Sequence, residues 1–321
     1  MVIKRKKWGG TGYPGVKMLG SIDFTGAYAN LASRGLDTTK TNREAIIMLE
    51  LPESYTISSQ IEKNLTGKII SYVEVLHTPH SFAFFQGDVK GYGDLLEGQT
   101  VVGATYHGGM VEMDTEDCMI VFADGAYPRY YVDKKKYPKK HQMAICFDDE
   151  TAIFVSIQMY GFIFVYPRGK CTEGFYISSC SKINPLSDEF TFEYFKSLYP
   201  GNQKKISAKA FLATDQRIPG LGNGVLQDIL WDAGIDPRFD MREASEADFM
   251  SLYVSIKKIL KEMCEKGGRD TEKDLFGQKG GYITQLSKNS LFEPCVKCGH
   301  EIYKASYMGG TIYFCENCQK R

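Results

Sequence analysis

Residues Thr214–Arg238 read TDQRIPGLGNGVLQDILWDAGIDPR, and the interpretation of this stretch decides what kind of protein surrounds it. Gly220 and Gly222 allow the backbone to come close to another group. Asn223 stands at the amino end of the apolar-periodic run GVLQDILWDAG, where unpaired N–H groups and the helix dipole can hold a phosphate. Alone, a glycine-rich turn before a helix reads as a plain helix–helix connection. Its weight comes from its neighbours along the chain.

Downstream, EPCVKCGHEIYKASYMGGTIYFCENCQKR places Cys295 and Cys298 in one CxxC pair and Cys315 and Cys318 in another, with sixteen residues between the pairs. Four thiolates at this spacing close a tetrahedral zinc site and leave no position for water, so one structural zinc ion is expected. The intervening segment alternates and turns at Met308-Gly309-Gly310, which predicts a β-hairpin. His300 adjoins the site but is not needed as a fifth ligand and is read as surface.

The chain around the glycine-rich stretch is helical in pattern. TFEYFKSLY is followed by SAKAFLATDQ with Ser207 as N-cap. Then SEADFMSLYVSIKKILKEMCEKGG carries a capping box at Ser245 and Asp248, a stripe at Phe249, Leu252, Ile256, Ile259 and Met263, and a stop at Gly267. From Lys68 to about Tyr166 the runs are short and strand-like (KIISYVEVLH, MIVFADG, RYYVD, HQMAICFDDE, TAIFVSIQMYGFIFVY), which predicts a β-sandwich or barrel. Before them, AIIMLELPESYTISSQIEKNL looks like the start of a protein placed inside one. Ile57, Ile61 and Leu65 draw a helical stripe that Pro52 opens and Gly67 closes. Residues 1–47 hold 8 basic and 3 acidic side chains with little periodicity and read as a basic, poorly structured or non-native extension.

Composition narrows the class. The 321 residues are 43% hydrophobic and 24% charged, and 39 Lys plus Arg balance 39 Asp plus Glu, so nucleic-acid binding has to rest on local patches. Nine cysteines, four of them in the metal module, fit a reducing compartment better than a disulfide framework. No apolar run reaches the roughly 18–20 residues that span a bilayer. A cytoplasmic protein without a membrane partner is expected.

Taken together, PLSDEF, LATDQRIPGLGN, AGIDPR, GGRDTEKD and the FCENCQK finger resemble the formamidopyrimidine-DNA glycosylase and endonuclease VIII family, from Met48 to the end of the chain. The resemblance implies an α+β multidomain fold. Residues 48–185 form a β-sandwich with a helix, 186–285 a helix–two-turns–helix DNA-binding domain, and 286–321 a zinc-finger hairpin. It implies a monomeric base-excision-repair enzyme that flips a damaged base out of duplex DNA and removes it, or acts on abasic duplex. Carried over by position, Asn223, with Gly222 beside it, holds a phosphate of the lesion strand. Lys288 falls near a second phosphate contact, one residue out of register. Arg269, Asp270 and Thr271 lie in a flexible segment that covers an everted base.

Several positions depart from the family pattern. Leu49 stands where the family has an amino-terminal proline whose amine attacks the sugar, while the following glutamate is present as Glu50; an amide nitrogen is not nucleophilic. His107 occupies the place of a catalytic, phosphate-binding lysine, and with an unperturbed pKa near 6.5 its charged form is a minority at neutral pH. Gln158–Gly161 replace a basic and aromatic pair that fills the hole left by the flipped base, and Gly310 replaces a phosphate-gripping arginine. Three readings follow: a glycosylase in which Glu50 activates water with support from His107, without the proline-based lyase step; a lesion- or structure-specific DNA binder without turnover; and a zinc-ribbon module for RNA or protein contact. Under either non-catalytic reading Glu50 merely caps its own helix.

Overall fold

The computed structural model describes residues 49–201 and 203–321; the extension expected over 1–47, and Met48, lie outside the described residues. The first element among the described residues is helix α1 (Leu51–Leu65), with a proline in its first turn and Gly67, at φ +90, just past its end. Its stripe of Ile57, Ile61 and Leu65 is fully buried against the sheet that follows.

That sheet is built from β1 (Ile70–Val75), β2 (Ala83–Gln86), β3 (Val101–His107), β4 (Met110–Thr115), β5 (Cys118–Tyr131), β6 (Met143–Phe147) and β7 (Ala152–Pro167), with a short helix α2 (Tyr92–Leu96) between β2 and β3. The strand order is β1-β6-β7-β5-β4-β3, all antiparallel, and β2 runs parallel to β7. Strands β5 and β7 are long enough to belong to both halves of the domain. Their register breaks between Asp124 and Ala126, opposite Gly161 and Ile157, and Asp124 takes a left-handed φ of +55. The break bends the sheet, so Val73, Ile145 and Val155 from one half share a single core with Val111, Phe122 and Ile163 from the other. MIVFADG and RYYVD, two separate strands by sequence, are one strand through this bulge.

After helix α3 (Gly174–Cys180) the chain becomes helical: α4 (Phe192–Ser197), α5 (Ala208–Ala213), α6 (Val225–Asp232) and α7 (Glu246–Glu265). Ser207 accepts from the Ala210 N–H at the start of α5, and Ser245 with Asp248 forms the reciprocal capping box of α7. A second core gathers Phe195, Phe211, Leu226, Leu230, Phe249, Ile256 and Leu260, and Leu51 of α1 belongs to it rather than to the β-domain core. α1 therefore fastens the two domains together. The C-terminal hairpin, β8 (Tyr303–Tyr307) and β9 (Gly310–Phe314), turns at Met308 and Gly309, both at positive φ. It docks on α6 through Trp231, and Asp228 of α6 accepts the N–H groups of Gln285 and Leu286 at 2.8 and 2.7 Å.

The β-domain meets the helical domain through backbone alone at Gly108 and Gly220. Gly220 has φ +72, and a Cβ there would stand 2.4 Å from the Gly108 carbonyl carbon. Its own carbonyl accepts the Leu51 N–H at 2.9 Å. Gly220→Ala should therefore destabilise the fold by about 1–3 kcal/mol. An unchanged urea midpoint in the purified variant would contradict this packing.

Candidate active site and nucleic-acid interface

Glu50 is the N-cap residue of α1 by position, but its side chain does not cap that helix. Its carboxylate instead accepts the N–H groups of Gly224 at 2.8 Å and Val225 at 2.7 Å, at the amino end of α6. The expectation that it merely caps its own helix is thus corrected: it caps a helix of the other domain, 174 residues away in sequence. Gly222 makes room for this, since a Cβ on it would lie 2.7 Å from the Glu50 carboxyl carbon. Burial is the largest influence on Glu50 and raises its pKa; nearby Arg269 opposes the shift, Glu53 adds to it, and the two amides oppose it.

Arg269 lies 3.5 Å from Glu50 and grips Glu53 of α1 with its backbone N–H, its Nε at 3.0 Å and its Nη2 at 2.7 Å. The guanidinium is 3% exposed. Arg269, expected in a flexible cover, is here a buried charge held by a bidentate carboxylate, and swinging over a base would cost it both the burial and the pair. Asp270 is likewise tied, accepting from the Thr284 N–H, the Thr284 hydroxyl and Asn289. Thr271 is half-buried. A third carboxylate, Glu272, accepts from the Tyr127 hydroxyl at 2.9 Å, and burial pushes its pKa up to about 8 despite Arg269. One guanidinium thus faces three buried carboxylates, and burial raises the pKa of two of them, Glu50 and Glu272. No local sequence pattern signals this cluster, since Glu53 and Arg269 are 216 residues apart.

His107 ends β3 at the turn that packs on Pro219 and Gly220. Its Nε2 is 3.1 Å from Glu112, which also accepts from the Tyr176 hydroxyl at 2.6 Å, and the Tyr176 ring stands edge-on to the imidazole. Burial works against its charge, but hydrogen bonds to Cys180 and Glu112 outweigh it and raise the pKa to about 9. The expectation that the charged form is a minority at neutral pH is corrected accordingly. His107 is a cation there, as a lysine would be.

Asn223 is exposed and donates to the Thr311 carbonyl at 3.0 Å, and Gln227 donates to the Asn223 carbonyl and to Thr311, so the amino end of α6 is tied to the finger. Lys209 carries no mark in the sequence that sets it apart from other lysines. Its Nζ donates to the Tyr307 carbonyl at 2.8 Å and lies 3.2 Å from where a Cβ on Gly310 would stand; burial lowers its pKa to about 8. A cation therefore occupies the neighbourhood that the missing arginine leaves open. Lys288 is exposed on the segment leading to the finger. Met159 of β7 is also exposed.

The sulfurs of Cys295, Cys298, Cys315 and Cys318 lie within 4.8 Å of one another, and the cluster could hold a metal ion. The donor set fits: Trp231 Nε1 points at Cys295 Sγ at 3.3 Å and the Gln319 side chain accepts the Cys315 N–H, the outer contacts a thiolate site uses. His300 is exposed, as expected.

Residues 182–274 match the family model for the Formamidopyrimidine-DNA glycosylase H2TH domain. The chain is 28% identical over 286 residues to formamidopyrimidine-DNA glycosylase of Brevibacillus brevis, covering 85% of this chain and 99% of that one. With the Cytobacillus firmus enzyme it shares 26% over 283 residues, covering 85% and 100%. Among solved structures, a complex of Lactococcus lactis Fpg with DNA containing an abasic site superposes with a TM-score of 0.73 at 22% identity, over 85% of this chain and all of that one. MutM (Fpg) from Thermus thermophilus gives 0.71 at 22% identity, over 84% and 98%. A β-domain with a leading helix, a helix–two-turns–helix domain and a four-cysteine hairpin define a glycosylase-type architecture. The chain is similar to the formamidopyrimidine-DNA glycosylase family over most of its length, and residues 182–274 match that family's H2TH domain.

The His107 pair carries a pH signature. Because the folded pKa is raised from 6.5 to about 9, its stabilisation is fully present below pH 6.5 and is lost as pH rises through 9. The stability gap between the parent and His107→Gln, followed by thermal unfolding from about pH 6 to 10, should close at the alkaline end. A gap independent of pH would show that His107 is not charged in the folded state.

Proposed function

We propose that this chain is a damaged-DNA glycosylase of base excision repair that hydrolyses the N-glycosidic bond as a monomer on duplex DNA, without the proline-based lyase step. The observation that carries the reading is the Glu50 carboxylate, buried with a raised pKa at the amino end of α6, beside Asn223. Each of its oxygens accepts one backbone N–H and keeps a lone pair, so it can take a proton from water attacking the sugar C1′ as the base departs. Asn223, Gly222, Lys209 and Lys288 supply phosphate contacts that offset the few kcal/mol needed to evert a base, and His107 supplies a further cation. Asp270 and Thr271 flank the everted base from a segment that Arg269 pins rather than releases. One zinc ion on Cys295, Cys298, Cys315 and Cys318 holds the finger in shape. Nine unpaired cysteines are in keeping with the reducing cytoplasm, and no helix among the described residues is long and apolar enough to cross a membrane.

Lyase chemistry through the family's route has no amine here. The Leu49 nitrogen donates its proton to the Asp124 carbonyl at 2.8 Å, and the side chain is 4% exposed. The test is a panel of duplexes carrying abasic, oxidised and ring-opened bases, read for released base and for borohydride-trapped adduct. Base release without a trapped adduct is expected, and Glu50→Gln should slow release by about 10²–10⁴-fold. A strong adduct sinks the hydrolytic reading, and no release from any lesion leaves a binder without turnover.

The finger and Asn223 make a separate expectation. Chelating the metal, or Cys315→Ala, should abolish duplex binding and lower the melting temperature, whereas Asn223→Ala should weaken binding by about 1 kcal/mol with the fold intact. Equal affinity of Asn223→Ala and parent for abasic duplex, measured at one fixed salt concentration, would misplace the phosphate site.

A further inference from the structure

The geometry points to a second metal site, in the β-domain and separate from the finger, in which Glu74, His77 and His141 bind a divalent transition ion of the zinc class. Their donor atoms lie within 4.8 Å of one another. Glu74 Oε1 is 3.1 Å from His77 Nδ1, Glu74 Oε2 is 3.0 Å from His141 Nε2, and the two imidazoles stack at 4.1 Å, 8° from parallel.

Three observations make this a built site rather than a chance cluster. First, His141 is buried and its Nδ1 lies 3.2 Å from the Pro138 carbonyl, which can only accept. A proton on Nδ1 satisfies that contact and leaves Nε2 facing a carboxylate oxygen at 3.0 Å, a gap that a metal ion can fill. A histidine donating its other N–H to a backbone carbonyl is the usual arrangement of a metal ligand. Second, Glu74 is in β1, where residues three apart face opposite sides of the sheet. Leu76, a branched residue at φ +58, breaks the alternation and brings His77 to the same side. Backbone in this region is uncommon for such a residue and is found at ligand clamps. Third, the frame is fixed by hydrogen bonds from Leu76 N to the Gln142 carbonyl at 2.8 Å, Thr78 N to the His141 carbonyl at 2.9 Å, and His141 N to the Thr78 hydroxyl.

One divalent ion fills both imidazole–carboxylate gaps. Two imidazole nitrogens and one carboxylate oxygen suit zinc, cobalt, nickel or copper rather than magnesium or calcium. The side chains of Glu74 and His77 are 35% and 40% exposed, so water completes the shell and the ion enters from solvent. Bound there, it would fasten the end of β1 to the start of β6.

Zinc titration of the untagged full chain, with its finger already metal-loaded, tests this by calorimetry and thermal unfolding. Residues 1–48 contain no histidine or cysteine, so they add no competing soft ligand. The parent should take up one further equivalent and melt a few degrees higher. His77→Ala and Glu74→Gln, at the exposed side of the site, should fold as the parent does, keep the finger metal and lose the extra equivalent. Absence of a second equivalent at millimolar zinc, or its full retention in His77→Ala, would overturn the proposal and leave a proton-bridged histidine pair.

Discussion

The Arg269 guanidinium is the contact on which the arrangement of this molecule depends. It lies where α1 of the β-domain, the amino end of α6 and the segment after α7 converge, and it is paired with two carboxylates from the start of α1, Glu50 and Glu53. Placing one cation among three buried carboxylates costs desolvation that hydrophobic packing would not incur. Removing the cation would cost more, about 3–5 kcal/mol, because the carboxylates would remain without a partner. The cluster is therefore a poor source of stability and a strong fixer of geometry. It sets the angle at which Glu50 meets the α6 amides, and so where a proton can be taken or given.

Around this ionic centre the domains touch through backbone. The Gly108–Gly220 contact and the missing side chain of Gly222 let the His107 turn, the start of α1 and the turn before α6 share one small volume. Asn223 and Gln227 extend it to the finger through Thr311, while Asp228 and Trp231 anchor the finger's base. A shift of the hairpin would thus be felt at the amino end of α6, and hence at Glu50. The finger and the position of Glu50 are thus linked mechanically although no cysteine touches the carboxylate.

What is legible in the sequence is local. The CxxC spacing, the Ser245–Asp248 capping box, the Ser207 cap and the α1 stripe are encoded within a few residues of each other, and each appears in the structure where expected. The β-domain is legible as strands but not as one sheet. Asp124 and Gly125 look like a turn between two strands, whereas they are a bulge inside β5, and β3 and β4 are disguised by the glycines of VVGATYHGG. The site is legible only in part. GGRDTEKD has the composition of a solvated loop, and nothing within it announces that Arg269 has its partners at the other end of the chain. The raised pKa of His107 is hidden for the same reason: Cys180, which acts with Glu112 on the imidazole, comes from α3, as does Tyr176, which donates to Glu112 from 64 residues away.

The departures from the family pattern are local exchanges within one site rather than losses scattered over the fold. Where a lysine is missing, His107 is held as a cation by Glu112 and its neighbours. Where an arginine is missing at Gly310, the Lys209 ammonium lies alongside. The nucleophilic amine has no substitute, because the Leu49 nitrogen is an amide and its N–H is engaged by Asp124. A module kept for RNA or protein contact through its finger would have no use for three carboxylates buried around one guanidinium at the far end of α6, and burial makes such a cluster costly. Perturbed acids of this kind gather where proton transfer is needed. Loss of the amine with retention of the acid is what separates base hydrolysis from strand cleavage: water can replace the amine as nucleophile at C1′, but without the covalent imine the elimination that cuts the strand has no electron sink.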